Sequence, residues 1–313
     1  MTERATIVVF GGSGFMGSAL VSKLIDEDHR NIVIVDSQTP RADLLSHPNV
    51  VFVEQNILSF DRHVIETLLA AARVVFFKIG MLGNPLKATN FDLLGDYLHT
   101  NALSLKQLLE LSTRYAVPKV IVDSSVTVLG DLDRTRPILE TDQARHPSNF
   151  YGLSKALLED VCHFWNNKSF GSVKLIRYPR VYSPEAPSFV KTFAAQISRG
   201  EPIEVVGDAE KLVDLVHIED AVDTAFKCIS YDGNQTVFHA SYGAPKSLKE
   251  IVDLMFLEIG NPNYPVIYKG EGNSPREGKR MALASDHTRR VLGLEFKHSV
   301  CSIVREALRS HAS

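Results

Sequence analysis

The sequence predicts an α/β fold in which a doubly wound parallel sheet is joined to a smaller C-terminal α/β lobe. Short apolar runs alternate with helical patterns through the first half of the 313 residues, as expected of repeated strand–helix units. Many runs are unbroken β-branched stretches such as Val120-Ile121-Val122, which suit strands that are buried on both faces. A glycine-rich turn directly after the first run completes the pattern.

The predicted elements follow in order along the chain. Apolar runs predict strands at 6–10, 31–35, 50–53, 73–77, 119–123 and 173–177. After about residue 180, proline and glycine become frequent and the pattern loosens. Two further strands, at 203–206 and 235–239, and two helices, near 247–259 and 286–293, are predicted for the smaller lobe. We therefore predict a Rossmann domain over 1–180, with contributions from about 210–240, and a substrate-binding lobe over 181–313.

The composition is that of an ordinary globular protein, with 44% hydrophobic and 23% charged residues and a net charge of −3. There is no basic patch, so nucleic acid is not an expected partner. No apolar run approaches the ~20 residues of a membrane span, and the first strand begins too early for a signal peptide, so we expect a cytoplasmic protein without membrane contact. Three widely spaced cysteines favour neither a disulfide framework nor a zinc site, and no metal is predicted.

The glycine-rich turn, Gly11-Gly12-Ser13-Gly14-Phe15-Met16-Gly17, lies between the apolar run 6–10 and the amphipathic stretch 18–28. A strand, a glycine turn and a helix in this order hold a dinucleotide pyrophosphate, because the backbone can approach the phosphates and the helix N-terminus offers free N–H groups. Asp36 ends the second apolar run. A carboxylate there binds the adenosine ribose hydroxyls and repels a 2′-phosphate, which favours NAD over NADP.

A tyrosine and a lysine, Tyr151 and Lys155, are four residues apart at the start of a helical run that extends to Trp165. On a helix the two side chains share one face. An ammonium near a phenol lowers the pKa of the phenol, which makes the tyrosine a usable acid or base near neutral pH. Ser124-Ser125 closes the fifth predicted strand, where side chains face the ligand crevice. A hydroxyl there either binds the reacting oxygen beside Tyr151 or caps backbone groups of a turn.

These residues resemble the extended short-chain dehydrogenase/reductase family, the nucleotide-sugar epimerases and dehydratases. The similarity runs over nearly the whole chain. The matching segments are the turn with Gly11, Gly14 and Gly17, the residue Asn101, the loop 124–130, the pair Tyr151 and Lys155, the segment 175–184, the stretch 206–220 and Arg276 in a late RxGD motif. The resemblance implies a Rossmann-like fold and NAD as the cofactor.

The resemblance also implies roles for individual residues. Ser125, Tyr151 and Lys155 would be catalytic, and counting back from Gly130 in the family's serine loop selects Ser125 over Ser124. The residues that would bind NAD are Gly11, Gly14, Phe15, Met16, Gly17, Asp36, Ser37, Asn56, Ile57, Phe77, Lys78, Ile79, Asn101, Tyr151, Lys155 and Tyr178. The substrate-binding residues would be Ser125, Arg180 and Arg276.

The chain departs from the family pattern beside the predicted site. Val213 stands where an Arg usually grips the nucleotide sugar, and Arg180 replaces an Asn that commonly contacts the substrate. A guanidinium at 180 would meet a carboxylate or a diphosphate oxygen, or serve as a structural ion-pair partner. Lys78 lies in the segment 77–80, which replaces the usual His-Leu-Ala-Ala beside the nicotinamide. Its ammonium would either approach the cofactor phosphates or lie in solvent.

The resemblance implies an NAD-dependent epimerase of a nucleotide-activated sugar. Tyr151 as phenolate would take a sugar hydroxyl proton, hydride would pass to the nicotinamide and return to the other face of the keto intermediate. Val126 and Thr127 stand where dehydratases carry an Asp-Glu pair, so epimerisation ranks above dehydration. Three alternatives stay open: a net NAD(P)-dependent oxidoreductase acting on a small molecule, a sugar-acid decarboxylase of the same fold, and a non-catalytic NAD-sensing protein.

A homodimer through a four-helix bundle is a further implication of the resemblance. It would be built from the helix over about 96–115 and the helix after Tyr151. The leucine and valine side chains that offer apolar faces at helical spacing are Leu105, Leu108, Leu109, Leu157, Leu158 and Val161. The same periodicity would result if these side chains packed only on their own sheet.

Overall fold

Two compact units make up the protein, and the computed structural model describes residues 5–82, 90–130, 136–142, 147–168, 170–270 and 282–311. The first unit comprises Met1–Gly130, Arg145–Arg177 and Val222–Phe238. The second unit comprises Asp131–Ala144, Tyr178–Ala221 and His239–Ser313. Each unit therefore draws on separate stretches of the chain, and the predicted division at residue 180 stays a prediction.

Strands and helices alternate through most of the described chain. The strands are β1 (Thr6–Phe10), β2 (Ile32–Asp36), β3 (Val50–Glu54), β4 (Ala72–Phe77), β5 (Lys119–Ser125), β6 (Ser172–Tyr178), β7 (Arg180–Tyr182), β8 (Ile203–Val206), β9 (Leu212–Val213), β10 (Leu215–His217), β11 (Val237–His239), β12 (Lys246–Ser247) and β13 (Val266–Lys269). The helices are α1 (Phe15–Asp26), α2 (Ala42–Leu45), α3 (Arg62–Ala71), α4 (Leu94–Leu98), α5 (Ser104–Arg114), α6 (Phe150–Asn167), α7 (Phe189–Ser198), α8 (Ile218–Lys227), α9 (Leu248–Ile259), α10 (Asp286–Leu292) and α11 (Val300–Arg309). Short 3-10 turns lie at Phe91–Leu93, Val126–Leu129 and Cys228–Ser230, and a π-helical turn, His99–Leu103, joins α4 to α5.

The central sheet has seven strands in the order β11-β6-β5-β4-β1-β2-β3. β1 pairs in parallel with both β2 and β4, and the parallel pairing continues from β2 to β3 and from β4 to β5. The strand order therefore reverses between β1 and β4, and this switch point is where open α/β sheets bind ligands. The prediction of a doubly wound, Rossmann-like sheet is confirmed.

The first six predicted strands are all present in this sheet, and their ends agree with the prediction to within two residues. The run 235–239 is predicted with the smaller lobe, and that placement is wrong. Val237–His239 instead forms β11 at the edge of the central sheet. A strand of three residues is too short for its own sequence to identify its partner, although the domain prediction does expect contributions from about 210–240.

The core of the first unit explains why its strands are apolar throughout. Alternate strand residues such as Val8, Val75 and Val122 pack in one buried cluster with side chains of α3, α5 and α6. The residues between them, such as Val9 and Ile121, are also fully buried. Both faces of the sheet are covered, so neither face needs a polar residue.

Most of the leucines predicted for a dimer interface belong to this core. Leu105, Leu108, Leu109 and Leu158 are at most 1% exposed and pack in the cluster on their own sheet. Leu157 is 38% exposed, and Val161 is partly buried against the cluster. The expectation that the four buried leucines form an interface is therefore wrong, because helical periodicity does not distinguish a sheet from a partner helix.

Two buried lysines attach the late segment of the first unit to its sheet. Nζ of Lys119, at the start of β5, donates to the carbonyl oxygens of Ile229 and Tyr231 at 2.6 and 2.8 Å. Nζ of Lys174, in β6, donates to the carbonyl oxygens of Gly233 and Gln235 at 2.7 and 2.9 Å. Residues 229–235 thereby satisfy two ammonium groups that the sheet buries.

In the part of the second unit that the structure describes, three two-stranded sheets pair β7 with β10, β8 with β13 and β9 with β12. Helices α7, α9 and α11 contribute to its buried core, with Phe193, Met255 and Ile303 among the core side chains. The predicted strand at 203–206 is β8, and the helices predicted near 247–259 and 286–293 are α9 and α10. Within the ranges that the structure describes, no helix has the length and apolar character of a membrane span.

Candidate active site

The glycine turn between β1 and α1 is closely packed. Gly11 has a φ of +80°, and a Cβ there would lie 2.9 Å from the carbonyl carbon of Lys78. A Cβ on Gly17 would collide with the carbonyl oxygen of Gly11. Only glycine fits both positions, so the backbone of the turn stays bare for a ligand to approach.

The N-terminus of α1 is open to an anion. Its N-cap residue, Gly14, provides no side-chain hydrogen bond, and the first turn contains no acidic residue. The backbone N–H groups and the positive end of the helix dipole are therefore available to a phosphate. Phe15 is exposed and Met16 is half-buried in this turn. The bare glycine turn and the uncapped helix together fit a dinucleotide pyrophosphate.

Asp36 ends β2 beside this turn, as the sequence predicts. Its Oδ2 accepts the backbone N–H of Ser13 at 3.0 Å, and its Oδ1 accepts that of Gln38 at 3.0 Å. Ser37 is exposed next to it. The carboxylate is thus held at the strand end, where a ribose would lie.

Two residues predicted near the adenine follow β3. Asn56 is exposed, and its Oδ1 accepts the backbone N–H of Leu58 at 2.9 Å. Ile57 is partly buried and packs against the core of the first unit. Asn56 therefore shapes its own turn, and Ile57 contributes an apolar side chain beside it.

Ser125 and Tyr151 meet at the carboxyl end of β5. The Ser125 hydroxyl hydrogen-bonds the Tyr151 phenol. Oγ of Ser125 also accepts the hydroxyl of Thr127 at 2.9 Å and its backbone N–H at 3.2 Å. With its oxygen occupied as an acceptor, Ser125 can direct its own proton toward the phenol. Of the two alternatives that the sequence leaves open for this hydroxyl, the turn cap is present, and the binding of a reacting oxygen beside Tyr151 stays a prediction.

The start of α6 is fitted against the turn that follows Ser125. Asn149 caps the helix by accepting the backbone N–H of Gly152 at 2.8 Å. A Cβ on Gly152 would lie 2.8 Å from the carbonyl oxygen of Thr127 and 2.9 Å from Cβ of Pro147. The glycine therefore lets Tyr151 approach the strand end. This role of Gly152 is not predicted from the sequence. The signal that could have revealed it is a glycine directly after Tyr151, within the segment from Tyr151 to Lys155.

Burial has opposite effects on the pKa values of Tyr151 and Lys155, the two predicted catalytic residues of α6. It raises the pKa of Tyr151 to about 12, while the hydrogen bond from Ser125 lowers that pKa and the Asp123 carboxylate raises it. Burial lowers the pKa of Lys155 to about 8. Both shifts have the same cause, since each burial disfavours the charged form. The tyrosine therefore depends on neighbouring groups to ionise near neutral pH.

Asn101 connects α6 to the loop after β4. It lies in the π-helical turn and is fully buried. Its Oδ1 accepts the backbone N–H of Met81 at 2.6 Å, and its Nδ2 donates to the Met81 carbonyl oxygen at 3.1 Å and to Oγ of Ser154 at 2.8 Å. π-Helical turns occur frequently at functional sites. The arrangement brings Gly80 to Lys155, since a Cβ on Gly80 would lie 3.4 Å from Nζ of Lys155.

Lys78 is buried. Its Nζ lies 2.6 Å from Oδ1 of Asp123, and its side chain has no exposed surface. The alternative with the ammonium in solvent is therefore wrong, because a carboxylate at the end of the neighbouring strand offers a buried partner. The sequence does not reveal this pair, since the two residues are 45 positions apart.

A second buried ion pair lies beneath the same helix. Glu159, one turn after Lys155, accepts two hydrogen bonds from Arg177 of β6, at 2.9 and 2.8 Å. Ser124 donates to the same carboxylate at 2.6 Å. These hydrogen bonds connect α6 to β5 and β6. Ser124 is thus bound to Glu159 in the network, whereas its neighbour Ser125 is directed toward Tyr151. The i, i+4 spacing of Lys155 and Glu159 is the signal that sequence reasoning did not use.

The remaining predicted residues lie in different surroundings. Phe77 is buried in the core of the first unit, and Ile79 packs against that core. Tyr178 ends β6 and is 6% exposed. Arg180 is exposed on β7, with its guanidinium 5.5 Å from the ring centre of Phe189. Arg276 lies outside the described residues.

A histidine cluster in the second unit is not predicted by the sequence. The rings of His217 and His298 stack with centroids 4.0 Å apart, and ligand atoms of His217, Glu219 and His298 lie within 4.8 Å of one another. However, Nδ1 of His217 accepts the Glu219 backbone N–H at 3.2 Å, so the neutral ring carries its proton on Nε2, 3.2 Å from Oε2 of Glu306. The His217 ring therefore already uses both of its nitrogen atoms in contacts within the protein.

Comparisons with known proteins agree with this geometry. The family described as "NAD dependent epimerase/dehydratase family" matches residues 7–238. A putative UDP-glucose 4-epimerase of Methanocaldococcus jannaschii is 24% identical over 283 residues, which are 87% of each chain. A dTDP-4-dehydro-6-deoxyglucose reductase of Escherichia coli is 26% identical over 81% of each chain. The crystal structure of a UDP-glucose 4-epimerase from Thermotoga maritima with UDP-glucose covers 97% of this chain and 98% of its own, with 26% identity and a TM-score of 0.81.

Proposed function

The chain belongs to the NAD-dependent epimerase/dehydratase family, and on this premise we propose that it is an NAD-dependent epimerase of a nucleotide-activated sugar. The observation that carries the proposal is the contact between Ser125 and Tyr151, with Lys155 one turn further along α6. This set lies at the carboxyl end of β5, the edge of the sheet where ligands bind. A protein that only binds NAD has no need of all three side chains.

The three residues divide the acid–base work. NAD, when bound, supplies the hydride acceptor and donor. Tyr151 takes the proton of the sugar hydroxyl and later returns it. Ser125 hydrogen-bonds the reacting oxygen and relays the proton, and the Lys155 ammonium stabilises the phenolate. The chain itself therefore has to supply only orientation and proton transfer.

The NAD site that we propose follows the turn after β1. Gly11, Gly14 and Gly17 and the uncapped N-terminus of α1 would hold the pyrophosphate. Asp36 would bind the adenosine ribose, and Ser37, Asn56 and Ile57 would contribute to the same part of the site. Phe15, Met16, Phe77, Lys78, Ile79, Asn101 and Tyr178 are the further residues of the proposal, which is supported by the open glycine turn and by the contacts of Asn101.

Two neighbours of Ser125 favour epimerisation over dehydration. Val126 is apolar, and Thr127 uses its hydroxyl to hydrogen-bond Ser125. Neither side chain can act as the carboxylic acid or carboxylate that eliminates water across a sugar ring. Because the relatives named above act on UDP- and dTDP-sugars, we propose a substrate of that class, with Arg180 and Arg276 binding its polar groups.

Proton NMR of the purified protein with a catalytic amount of NAD and a panel of UDP- and dTDP-sugars tests the function. We expect a stereoisomer of one sugar to accumulate without net NADH, and Tyr151→Phe to abolish its formation. The matched control is Tyr115→Phe. Tyr115 is also four residues before a lysine, Lys119, but Tyr115 lies at the end of α5 and Lys119 begins β5, so the two do not share a helix. No change in any nucleotide sugar would overturn the proposal.

A net reductase is the second candidate, because one relative is a dTDP-4-dehydro-6-deoxyglucose reductase. Cofactor stoichiometry separates the two functions. An epimerase turns over many sugars per NAD, whereas a reductase consumes one reduced cofactor for each product. Product formation only with stoichiometric NADH or NADPH would move the assignment to the reductase.

We also propose a homodimer, supported by an apolar stripe on α6. Leu153, Leu157 and Phe164 are 41%, 38% and 53% exposed, and their spacing places them on one side of the helix. Leu103, before α5, is 41% exposed as well. Light scattering tests the proposal: Leu157→Glu should yield a monomer, while Leu257→Glu, which changes a leucine 75% exposed on α9, should not. An unchanged mass for Leu157→Glu would contradict this interface.

A cytoplasmic location remains part of the proposal. Cys162, Cys228 and Cys301 are free thiols in the structure, which suits a reducing compartment. Fractionation of the source cells with an antibody against the protein checks this location.

A further inference from the structure

The buried Lys78–Asp123 ion pair lies at the ends of two neighbouring strands. Lys78 follows β4 directly, and Asp123 is in the last part of β5. Their Nζ–Oδ1 distance is 2.6 Å, with 0% of the lysine side chain and 11% of the aspartate side chain exposed. The backbone N–H of Lys78 donates to the carbonyl oxygen of Phe10 at 2.8 Å, beside the glycine turn. The pair is therefore fixed at the edge of the sheet where ligands bind.

Asp123 also contacts the catalytic helix. Its backbone carbonyl oxygen accepts a hydrogen bond from Nζ of Lys155 at 2.9 Å. Lys78, Asp123 and Lys155 thus form a continuous series of contacts from the end of β4, through β5, to α6. The ion pair lies next to the ammonium that the proposed chemistry requires.

The titratable groups that act on Lys155 come from three elements. They are Asp123 on β5, Lys78 after β4, and Glu159 and Cys162 on α6. Arg177 on β6 holds Glu159 in a bidentate ion pair, and burial raises the pKa of Cys162, so that its thiol stays neutral. Tyr151 is faced by Ser125 and by Asp123.

These groups form two ion pairs, Lys78 with Asp123 and Arg177 with Glu159. Among these described groups, Lys155 forms no ion pair of its own, and its Nζ donates to the backbone carbonyl oxygen of Asp123. The Asp123 carboxylate acts on both functional side chains of α6, because it raises the pKa of Lys155 and that of Tyr151.

We propose that the Lys78–Asp123 ion pair is a positioning element of the active site, which holds the Lys155 ammonium in place and sets its charge opposite Tyr151. This inference rests on the proposed function, because it gives the pair a part in the acid–base step. Both are positioning residues in this scheme, since they act on the reaction through Lys155.

Packing alone does not account for two charges at this place. Burying an ion pair costs about as much free energy as the attraction between its partners returns, so apolar side chains of similar volume fill such a position at least as well. An electrostatic role explains why the charges are present. A carboxylate and an ammonium at fixed positions act on Lys155, whereas two apolar side chains do not.

The two partners act on Lys155 in opposite directions. Burial lowers the pKa of Lys155, the Asp123 carboxylate raises it, and the Lys78 ammonium lowers it. Asp123→Asn leaves Lys78 without its carboxylate, so the pKa of Lys155 should fall. Lys78→Met leaves the carboxylate without its ammonium, so that pKa should rise. The double variant removes both charges, so the pKa of Lys155 should lie between the values of the two single variants.

NMR titration of Lys155 tests these directions in the full chain without cofactor. The protein carries lysine labelled with carbon-13 at Cε, and the Lys155 resonance is identified by its loss in Lys155→Met. We expect the pKa to fall by roughly one pH unit in Asp123→Asn and to rise by a similar amount in Lys78→Met. The matched control is Asp232→Asn, which removes a carboxylate 3.1 Å from the buried Lys119 at the other end of β5 and should leave Lys155 unchanged.

Two results would overturn the inference. One is an equal Lys155 pKa in the wild type and both single variants. The other is a movement in the same direction in both variants, which indicates general loosening of the site. If one single variant does not fold, the other still tests its own direction, and an unchanged pKa in it is sufficient to reject the inference.

The titration needs no substrate, so it is independent of the epimerase assay. Sugar turnover without opposite pKa movements would reject this inference and leave the proposed function intact. Opposite movements without turnover of any nucleotide sugar would reject the proposed function and, with it, the catalytic meaning of the pair.

Discussion

Tyr151 is held between opposing influences. Burial raises its pKa to about 12, the hydrogen bond from Ser125 lowers that pKa, and the Asp123 carboxylate raises it. A phenol in this position reaches the ionised form near neutral pH only with help from Ser125 and from the nearby Lys155 ammonium. Ionisation of Tyr151 therefore depends on the hydrogen bond that Ser125 donates to the phenol oxygen.

Ser125→Ala removes the hydrogen bond that lowers the pKa of Tyr151. We expect that pKa to rise, so that the acid limb of the kcat/KM profile moves to higher pH. The rate at neutral pH should fall roughly tenfold for each pH unit of this movement. The matched control is Ser112→Ala, which removes a buried hydroxyl that has no hydrogen-bond partner among the described residues. A profile that loses height without moving would contradict this role of Ser125.

Gly152→Ala tests how closely α6 must approach the turn after Ser125. The added Cβ would lie 2.8 Å from the carbonyl oxygen of Thr127, so the helix start must move away. Because misplacement by about 1 Å can reduce a rate about 100-fold, we expect a large loss in kcat from a small movement. Gly95→Ala in α4 is the control, since nothing lies within 4 Å of its added Cβ. Equal kcat values for the two variants would show that the close approach is unimportant.

At the level of elements, the Glu159–Arg177 pair fixes α6 to β6. Arg177→Met leaves the buried Glu159 carboxylate without its bidentate partner, and we expect a loss of about 3–5 kcal/mol in the free energy of unfolding. The double variant Glu159→Gln/Arg177→Met removes both charges and should recover much of that loss. Denaturant unfolding measures both values. A double variant that is no more stable than Arg177→Met would indicate that the loss comes from packing.

The stacked residues His217 and His298 should make the stability of the second unit depend on pH. Burial lowers the pKa of His217, the neighbouring His298 lowers it further, and the carboxylates of Glu306 and Glu219 raise it, while Asp220 accepts a hydrogen bond from His298. The folded protein therefore binds this proton less readily than the unfolded chain. The free energy of unfolding is greatest above the ordinary histidine pKa of 6.5 and falls as the pH drops below it.

Thermal unfolding between about pH 7.5 and about pH 5.5 checks this dependence. We expect His217→Gln to weaken the decrease in stability at the acid end. The control is His63→Gln, which changes an exposed histidine at the start of α3. If the two variants show the same pH dependence as the wild type, the pair does not contribute to it.

Across the whole molecule, sequence patterns predicted the features that depend only on residues close together in the chain. The β-branched runs predicted β1–β6, and the spacing of Tyr151 and Lys155 predicted that both side chains lie on one helix, α6. Strands of two or three residues, such as β9 and β11, are shorter than any period of hydrophobicity. The Lys78–Asp123 ion pair depends on which strands become neighbours in the sheet. Leu105 on α5 and Leu157 on α6 each belong to a helical pattern of apolar residues, and that pattern is the same whether the side chain packs on the sheet or lies in solvent. Those features required the three-dimensional structure.

The edge strand β11 has a consequence for how the protein is made. During translation the N-terminus leaves the ribosome first. A nascent chain that has emerged as far as residue 180 contains six strands of the central sheet but not the seventh, β11. It also lacks the carbonyl groups of residues 229–235, so Lys119 and Lys174 have not yet met their acceptors. We expect a chain truncated at residue 180 to be digested rapidly by a protease that spares the full chain. The first unit of this protein is begun early in translation, and it is completed only after much of the second unit has been synthesised.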